Sequence, residues 1–351
     1  MLGFAVRQSR DSLTKPSKRP SDAHGEFSPF SPPGVLGLAT SVEKQLVRLS
    51  RELLAIGITK AQLAKDARRG TLLQLRRGAW TEERPDDHRI AHLQKARALC
   101  QQRLDAVLSH ETAAIAWGLP VDSDALARVH ITSQSLGHGH HDPDVYESNT
   151  PLASHDIGVH EGLLITNVAR TVIDIGRTAR LEWAVAAADS ALHNGLVTQC
   201  ELDRAVREAA RRKGIARARH VVRFANSLAE SPLESISRVQ LARLPIPEPV
   251  VQYPVKLNGM KVATSDFGWE QEGIVGEADG AIKYGPLLRE GETPEQAVMA
   301  EKRREWKIKA AGFTVLRWGM AEALSYDKLS AIVLPEFEWR DRRPRPRTNR
   351  P

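Results

Sequence analysis

The chain of 351 residues is long enough for two or three domains, and its 41% hydrophobic residues can form ordinary globular cores. A net charge of +7 is compatible with nucleic acid as a partner but does not establish it. Two distant cysteines argue against a disulfide framework or a cysteine zinc site, and we find no apolar run of membrane-spanning length and no signal-peptide core. We therefore expect a cytoplasmic protein with no membrane partner.

The two ends of the chain have compositions that are unsuited to a packed core. Residues 1–41 are rich in Ser, Pro, Lys and Arg, which predicts a disordered tail. Residues 340–351, RDRRPRPRTNRP, form a short basic tail. A solvated terminus is the favoured interpretation of this tail, and non-specific contact with phosphates is the alternative.

Residues 42–81 predict an abbreviated winged helix-turn-helix. Apolar residues recur at helical spacing from Val42 to Leu54, and Thr59 and Gly70 are placed to begin and end a second helix. The stretch TLLQLRRGAWT is then typical of a β-ribbon. Such a helix and ribbon can enter a DNA groove, whereas a small helical cap with solvated arginines is the alternative. The candidate phosphate-contacting residues are Lys60, Lys65, Arg68, Arg69, Arg76 and Arg77.

Residues 82–225 predict a mainly helical region with one β patch. SHETAAIAWGLPV is typical of a helix capped by Ser109, and RVHITS alternates like a strand. The loop SLGHGHHDPD carries histidines and aspartates, which are metal-ligand types, but no element holds it rigid and an exposed loop is favoured. The helices ITNVARTVIDIG, LEWAVAAADSALHNG and AVREAARRKGIARARHVVRFA follow, and the last has a strongly basic face. A solvated helix surface accounts for this face, with DNA contact as the alternative.

Residues 226–339 predict an α/β domain with a central mixed sheet. The first helix, SPLESISRVQLARL, begins with a capping box formed by Ser231 and Glu234. An extended stretch and a hairpin follow, and ETPEQAVMAEKRREWKIKAAG predicts a long helix that Thr293 caps and Gly312 ends. FTVLRW is typical of a buried strand and SYDKLSAIVL of a final helix, which completes a β-α-β arrangement.

The hairpin is formed by KVATSDFGW and GIVGEADG, two β-prone runs joined by EQEG. If residues 270–273 form the loop, Asp266 lies directly opposite Glu277, with the two Cβ atoms about 5 Å apart. Asp279 shares the face of Glu277 because side chains alternate along a strand. The sequence therefore predicts three carboxylates on one β surface.

Carboxylates in direct opposition repel one another, so a protein seldom places them together without a cation to bind. Oxygen ligands with a partly open shell suit Mg²⁺ or Mn²⁺, and such an ion can activate water and neutralise a scissile phosphate. Lys283 could hold a phosphate or help to activate the water. On the long helix, Lys302 or Arg304 could point at the hairpin, although surface ion pairs are the ordinary interpretation. A polar hairpin facing water is the alternative to a metal site, and the apolar neighbours IVG and FGW favour the metal site.

Residues 226 to about 335 resemble the restriction-endonuclease-like, PD-(D/E)XK, superfamily, and within it small domains similar to very-short-patch repair endonucleases. The resemblance matches Glu234 to the helical acid, Asp266 to the acid of the first hairpin strand and Glu277 to the acid of the second. It implies that these three residues hold the metal and that Glu234 is either both cap and ligand or a cap alone.

The chain departs from this family where the motif has lysine, because that position is Asp279. The superfamily tolerates a relocated lysine, so the resemblance leaves Lys283 or Lys302 to serve. If neither does, the resemblance implies a domain that binds DNA without cutting it.

Residues 42 to about 225 resemble the N-terminal region of AbiEi-type antitoxins of type IV toxin–antitoxin systems. This resemblance rests on four segments, which are, in chain order, LLQLRRGAW, LSHETAAIAWGLP, VHIT and LLITNVARTVID. The resemblance implies promoter binding and autoregulation in a bacterium, with a cognate toxin as a partner. An antitoxin usually lacks a nuclease domain, so this role does not extend to the whole chain.

Two hypotheses follow. The first is a Mg²⁺- or Mn²⁺-dependent DNA endonuclease that the winged helix delivers to a site. In it, the catalytic and metal-binding residues are Glu234, Asp266, Glu277, Asp279, Lys283 and Lys302. The second is an antitoxin-like transcriptional regulator with an inactive nuclease fold.

Overall fold

A computed structural model describes residues 47–133, 142–279 and 293–341 of the chain. Parts of several sequence predictions lie outside these residues: the N-terminal tail, residues 342–351 of the basic tail, the histidines of SLGHGHHDPD, and Lys283. The described residues form α-helices and three separate β-sheets, in agreement with the predicted α+β class. In this part of the chain, no helix is both long enough and apolar enough to cross a bilayer.

The N-terminal described part contains β1 (Arg48–Leu49), α1 (Ser50–Ala55), α2 (Lys60–Arg69), β2 (Leu73–Arg76) and β3 (Ala79–Thr81). Its three strands have the order β1-β3-β2. The sequence predicts an unbroken helix before α2, but β1 pairs with β3 instead, because tertiary pairing outweighs local spacing. The predicted second helix and ribbon are confirmed: Thr59 caps α2, and Gly70 ends it with φ of +71°.

The middle part contains a sheet and a set of helices. In chain order these are α3 (His88–Gln102), β4 (Ala106–Leu108), α4 (His110–Ala116), β5 (Val129–Ser133), β6 (Val145–Ser148), β7 (Ile157–His160), β8 (Leu163–Thr166), α5 (Val168–Thr178), α6 (Leu181–His193), α7 (Gln199–Glu208) and α8 (Ile215–Phe224). The five strands have the order β6-β5-β4-β8-β7 and mix parallel with antiparallel pairs.

The middle part differs from the sequence predictions in three places. The single β patch is a five-stranded sheet, which the sequence conceals because strands this short do not show clear alternation. Ile165 and Thr166, predicted as the start of a helix, belong to β8, and α5 begins only after Asn167, whose Oδ1 accepts the Arg170 N–H at 2.8 Å. The basic helical stretch is also broken, because Gly214 adopts φ of +81° between α7 and α8.

The C-terminal part contains α9 (Pro232–Leu241), β9 (Val250–Leu257), β10 (Met260–Trp269), β11 (Ile274–Ala278), α10 (Pro294–Ala310), β12 (Thr314–Trp318), α11 (Met320–Ala323) and α12 (Tyr326–Asp341). The sheet order is β12-β11-β10-β9, with β9, β10 and β11 antiparallel and β12 parallel to β11. Helix α10 covers the sheet through the fully buried Ile308, which packs with Tyr253, Val255 and Val275. Helix α9 joins the helical core of the middle part through Val239.

Candidate acidic site on the C-terminal sheet

The hairpin of β10 and β11 has the predicted register. Trp269 pairs with Ile274 and Phe267 with Gly276, so the next step of the ladder brings Asp266 opposite Glu277. Gly276 leaves room for Trp318 of β12 beside this pairing, since a Cβ there would lie 2.4 Å from Trp318 Cη2. The space admits the Trp318 ring, which stacks on Phe267 with centroids 5.7 Å apart.

Asp266 is the most electrostatically perturbed acid of the hairpin. Its Oδ2 accepts the backbone N–H of Ala278 across the ladder at 2.7 Å. Burial raises the pKa of Asp266 to about 7, and the negative charges of Glu234, Glu277 and Asp279 act in the same direction. Burial and three neighbouring acids therefore act together to raise the pKa of Asp266.

Glu234 joins this group from the first turn of α9. It is the acid partner of the helix cap, because its Oε1 accepts from Ser231 Oγ at 2.8 Å and its own N–H donates to Ser231 Oγ at 3.2 Å. Its Oε2 accepts from Gln252 Nε2 at 3.0 Å. Burial raises the pKa of Glu234 above its usual value, although these hydrogen bonds oppose the shift. Glu234 thus caps α9, and its negative charge also raises the pKa of Asp266.

Glu277 is buried and is held by an arginine. Arg304 Nη2 donates to the two carboxylate oxygens at 2.8 and 3.0 Å, and to the carbonyl oxygen of Thr264 at 2.7 Å. Arg304 Nη1 also donates to Glu301 Oε1 at 3.3 Å. The guanidinium therefore balances the charge that an ion would otherwise balance at Glu277.

A second arginine, Arg317, holds Asp279. Its Nη1 lies 3.0 Å from Asp279 Oδ2, and its Nη2 lies 2.6 Å from Glu301 Oε1 and 3.4 Å from Glu305 Oε2. Arg317 reaches the site because it is the parallel partner of Glu277 in the pairing of β11 with β12. The position of Arg317 beside these acids could not be predicted from the sequence, since a parallel register between distant segments cannot be derived from their spacing.

The two predicted catalytic lysines have different outcomes. Lys283 lies outside the described residues. Lys302 is exposed on α10, and Arg304, roughly half a turn further around the helix, is the residue that reaches the hairpin. Of the two candidates on this helix, the arginine rather than the lysine faces the acids.

Within the described ranges, three ligand atoms lie within 4.8 Å of one another in only one group, formed by His155, Asp156 and Glu208. This group does not include the hairpin acids. Asp156 is already paired with the buried Arg170 at 2.7 Å, so a cation there would meet a guanidinium. We therefore assign no metal to that group. At the hairpin, a metal ion would have to displace Arg304 from Glu277.

The predicted DNA-contacting residues lie mostly on an open surface. Helix α2 has one buried residue, Leu63, and exposes Lys60, Lys65, Arg68 and Arg69. Arg77 is exposed at the tip of the ribbon, while its carbonyl oxygen accepts from Gln102 Nε2 at 2.9 Å. Arg76 differs from the rest because its guanidinium is mostly buried and paired with Asp142. That ion pair makes Arg76 a structural contact between the ribbon and the middle part.

No family model matches the chain. Two curated proteins of Mycobacterium tuberculosis are similar to it, the uncharacterized protein MT2308 of strain CDC 1551 / Oshkosh and the uncharacterized protein Rv2248 of strain H37Rv. Each is 30% identical over 157 residues, which cover 44% of this chain and 54% of the relative. The chain thus spans about half the length of the curated relatives it matches. Their names assign no activity.

Proposed function

We propose that the chain is a DNA-binding protein whose C-terminal part is a Mg²⁺-dependent endonuclease-like domain that hydrolyses DNA phosphodiesters. The observation that carries this proposal is the group of Glu234, Asp266, Glu277 and Asp279 around one hairpin, with the pKa of Asp266 raised to about 7. Such a concentration of acids at one point of a sheet is costly unless the site uses it, and perturbed carboxylates gather at functional sites.

The order of elements supports a restriction-endonuclease-like fold. A helix bearing one acid precedes three antiparallel strands, and a second helix then leads to a fourth strand parallel to the third. The sequence resemblance implies this order, with acids on the first helix and on the two hairpin strands. Glu234, Asp266 and Glu277 occupy those three positions.

The donor chemistry of these residues suits a magnesium or manganese ion, although no three of their ligand oxygens lie within 4.8 Å of one another among the described residues. Their donors are all carboxylate oxygens, the type that these ions prefer. The raised pKa of Asp266 reflects burial and the nearby negative charge, and a cation would lower it. Asp266, Glu277 and Glu234 would hold the ion, which supplies charge neutralisation and a more acidic water when bound.

The other groups of the site have roles that follow from their contacts. Asp266 would be a ligand of the ion and not the general base, because a bound cation would lower its pKa. Its Oδ2 is fixed by the Ala278 N–H, so the orientation of the carboxylate is set before any substrate arrives. Arg304, once it leaves Glu277, is a bidentate donor well suited to a phosphate.

Helix α2 and the β2–β3 ribbon support the DNA-binding part of the proposal. We infer a winged helix in which α2 enters the major groove and its four exposed basic residues contact the backbone. Arg77 would contact a phosphate from the ribbon, and Arg76 would not, because it is paired with Asp142. DNA is then the partner of both the N-terminal and the C-terminal described parts.

A second candidate is an antitoxin-like transcriptional regulator of a type IV toxin–antitoxin system whose nuclease-like domain does not cut. The observation that favours it is the pairing of Arg304 with Glu277 and of Arg317 with Asp279. These two ion pairs neutralise the hairpin acids without a metal, and Asp279 stands where the related motif has lysine. In this candidate a cognate toxin is the further partner.

A nicking assay on supercoiled plasmid, with Mg²⁺ or Mn²⁺ and an EDTA control, tests the first candidate. We expect cleavage by the wild type and loss of cleavage in Asp266→Asn and Glu277→Gln. Glu270→Gln, an exposed acid in the turn of the same hairpin, is the matched control and should retain cleavage. Metal-dependent nicking that survives both site substitutions rejects the site. Absence of nicking by the wild type, with intact DNA binding in a gel shift, favours the regulator.

A further inference from the structure

Helix α10 has two unlike faces. The inner face carries Arg304, bound to Glu277, and the fully buried Ile308 one turn later. The opposite face, here called the outer face, is formed by Met299, Lys302, Arg303 and Trp306, which follow the i, i+3, i+4, i+7 spacing of one helix stripe. All four residues of the outer face are exposed.

Trp306 is the unusual member of this face. Its side chain is 69% exposed, whereas Trp80, Trp183, Trp269 and Trp318 are buried in the cores of the protein. Met299, two turns before it, is also largely exposed. A large aromatic ring held out by a helix that is itself fixed on a sheet suits contact with a ligand, because few rotamers must be ordered on binding.

The charge around Trp306 is positive. Lys302 and Arg303 make no ion pair with any residue that the structure describes, and Lys307, beside them, likewise makes none there. Lys309, in contrast, is 2.6 Å from Glu305. The outer face thus joins an aromatic ring to cations that have no acid of their own within the described chain. This combination binds the base and the phosphates of a nucleic acid strand.

We propose that the outer face of α10 binds single-stranded DNA, with Trp306 stacking on an unpaired base and Lys302 and Arg303 contacting phosphates. A duplex keeps its bases stacked inside, so the ring requires a strand with an accessible base face. The inference rests on the proposed function only in the choice of DNA, since stacking needs neither the hairpin acids nor a metal ion.

Two other occupants fit the face less well. In a two-fold dimer through α10, Lys302 and Arg303 of one copy would approach the same residues of the other, which is unfavourable. An anionic membrane surface would need a broad apolar face, and this face offers only Met299 and Trp306 among its cations.

Binding of fluorescein-labelled oligothymidylate in EDTA, followed by anisotropy, measures the proposed contact on the full chain. Trp306→Ala should weaken binding roughly 5- to 100-fold, as the loss of one stacked base implies, and Trp306→Tyr should recover most of the affinity. Lys302→Glu with Arg303→Glu should also weaken binding. Lys256→Glu with Lys261→Glu, two exposed lysines that pair across β9 and β10, should leave it unchanged and is the matched control. Circular dichroism verifies that each variant is folded.

Tryptophan emission gives a second measurement on unlabelled protein. All proteins in this series carry Trp339→Phe, because the structure does not describe that side chain. Oligothymidylate should quench the wild-type emission, and the quenching should disappear in Trp306→Phe. Equal affinity of the wild type and both outer-face variants overturns the proposal. A response to phosphatidylserine vesicles without one to oligothymidylate overturns it as well. Binding that persists in Asp266→Asn, which should not cleave, separates this inference from the proposed nuclease.

Discussion

Arg304 donates to both carboxylate oxygens of Glu277, at 2.8 and 3.0 Å, on the strand where the resemblance expects a metal ligand. Glu277 is only 2% exposed, so water contributes little to the balance of its charge. The same Nη2 atom also binds the Thr264 carbonyl oxygen, which ties α10 to β10. The pair therefore stabilises the position of the helix and at the same time covers the acid.

Arg304→Gln should destabilise the fold, because it leaves a buried carboxylate without its partner. Removal of one member of a buried ion pair costs about 3–5 kcal/mol, and urea unfolding at pH 7 measures the loss. The double variant Arg304→Gln with Glu277→Gln should recover much of this loss, since neither charge then remains. Purely additive effects in this double-mutant cycle would contradict direct coupling of the two side chains.

Arg304→Gln should also make the fold more responsive to divalent cations. With the guanidinium gone, Mn²⁺ can take its place at Glu277, and a ligand that binds only the folded state raises the melting temperature. We expect a larger Mn²⁺-induced shift in Arg304→Gln than in the wild type. Arg303→Gln, an exposed neighbour on the outer face, is the control and should behave like the wild type. Equal shifts in all three proteins would mean that Arg304 does not compete with a cation.

The pKa of Asp266 predicts how stability changes with pH. The folded value is about 7, whereas the ordinary value is about 3.9. Between these two values the folded state binds more protons than the unfolded state, so the free energy of unfolding falls as pH rises. The slope from this one group reaches at most about 1.4 kcal/mol per pH unit, and the whole penalty is present above pH 7.

Asp266→Asn removes this titration and keeps an oxygen that can accept the Ala278 N–H. Its unfolding free energy relative to wild type should increase from pH 5 to pH 8, and urea unfolding at one-unit steps provides the measurement. Glu270→Gln in the hairpin turn should show a constant difference from the wild type over the same range. A constant difference for Asp266→Asn would be inconsistent with a raised pKa.

The hairpin could be predicted because its information is local. The loop EQEG ends in Gly273, which adopts φ of +59°, and its N–H donates to the Glu270 carbonyl oxygen at 3.1 Å. This turn fixes the register of both strands, and with it the opposition of Asp266 and Glu277. Helix ends such as Thr59 and Thr293 could be predicted for the same reason, since a cap depends on residues three positions apart.

Predicting that Arg304 and Arg317 reach the acids requires information that is not local in the sequence. On α10 two stripes carry apolar residues, and the structure buries Ile308 and exposes Met299 and Trp306. Which stripe faces the sheet decides whether Lys302 or Arg304 meets the acids. Ile308, one turn after Arg304, indicates the stripe that is buried. A single apolar residue is a weaker pattern, however, than Met299 and Trp306 at helical spacing.

The proposed winged helix can be tested through the salt dependence of DNA binding. Arg68→Ala and Arg69→Ala remove exposed cations from α2, and each lost phosphate contact should reduce the slope of log K against log salt by about 1. Arg76→Ala is the matched control, because its guanidinium is bound to Asp142. It should lower the melting temperature and leave the salt slope unchanged. An altered slope for Arg76→Ala but not for the α2 variants would place the DNA contact elsewhere.

Gly276→Ala should destabilise the C-terminal sheet, because the position has no room for a methyl group. Its Cβ would lie 2.4 Å from Trp318 Cη2 and 3.4 Å from Phe267 Cβ. Trp318 cannot easily move away, since its ring stacks on Phe267 and its Nε1 donates to Ser237 Oγ at 2.7 Å. Overpacking of this kind costs typically about 1–3 kcal/mol, which urea unfolding can resolve.

The matched control for this substitution is Gly158→Ala on β7. Gly158 has no heavy atom within 4 Å of a built Cβ and its φ is not in the left-handed region, so the methyl group is tolerated. Gly158→Ala should therefore be neutral or slightly stabilising, because alanine lowers the conformational entropy of the unfolded chain. If Gly276→Ala proved equally neutral, Trp318 would not be seated over β11 as the structure has it.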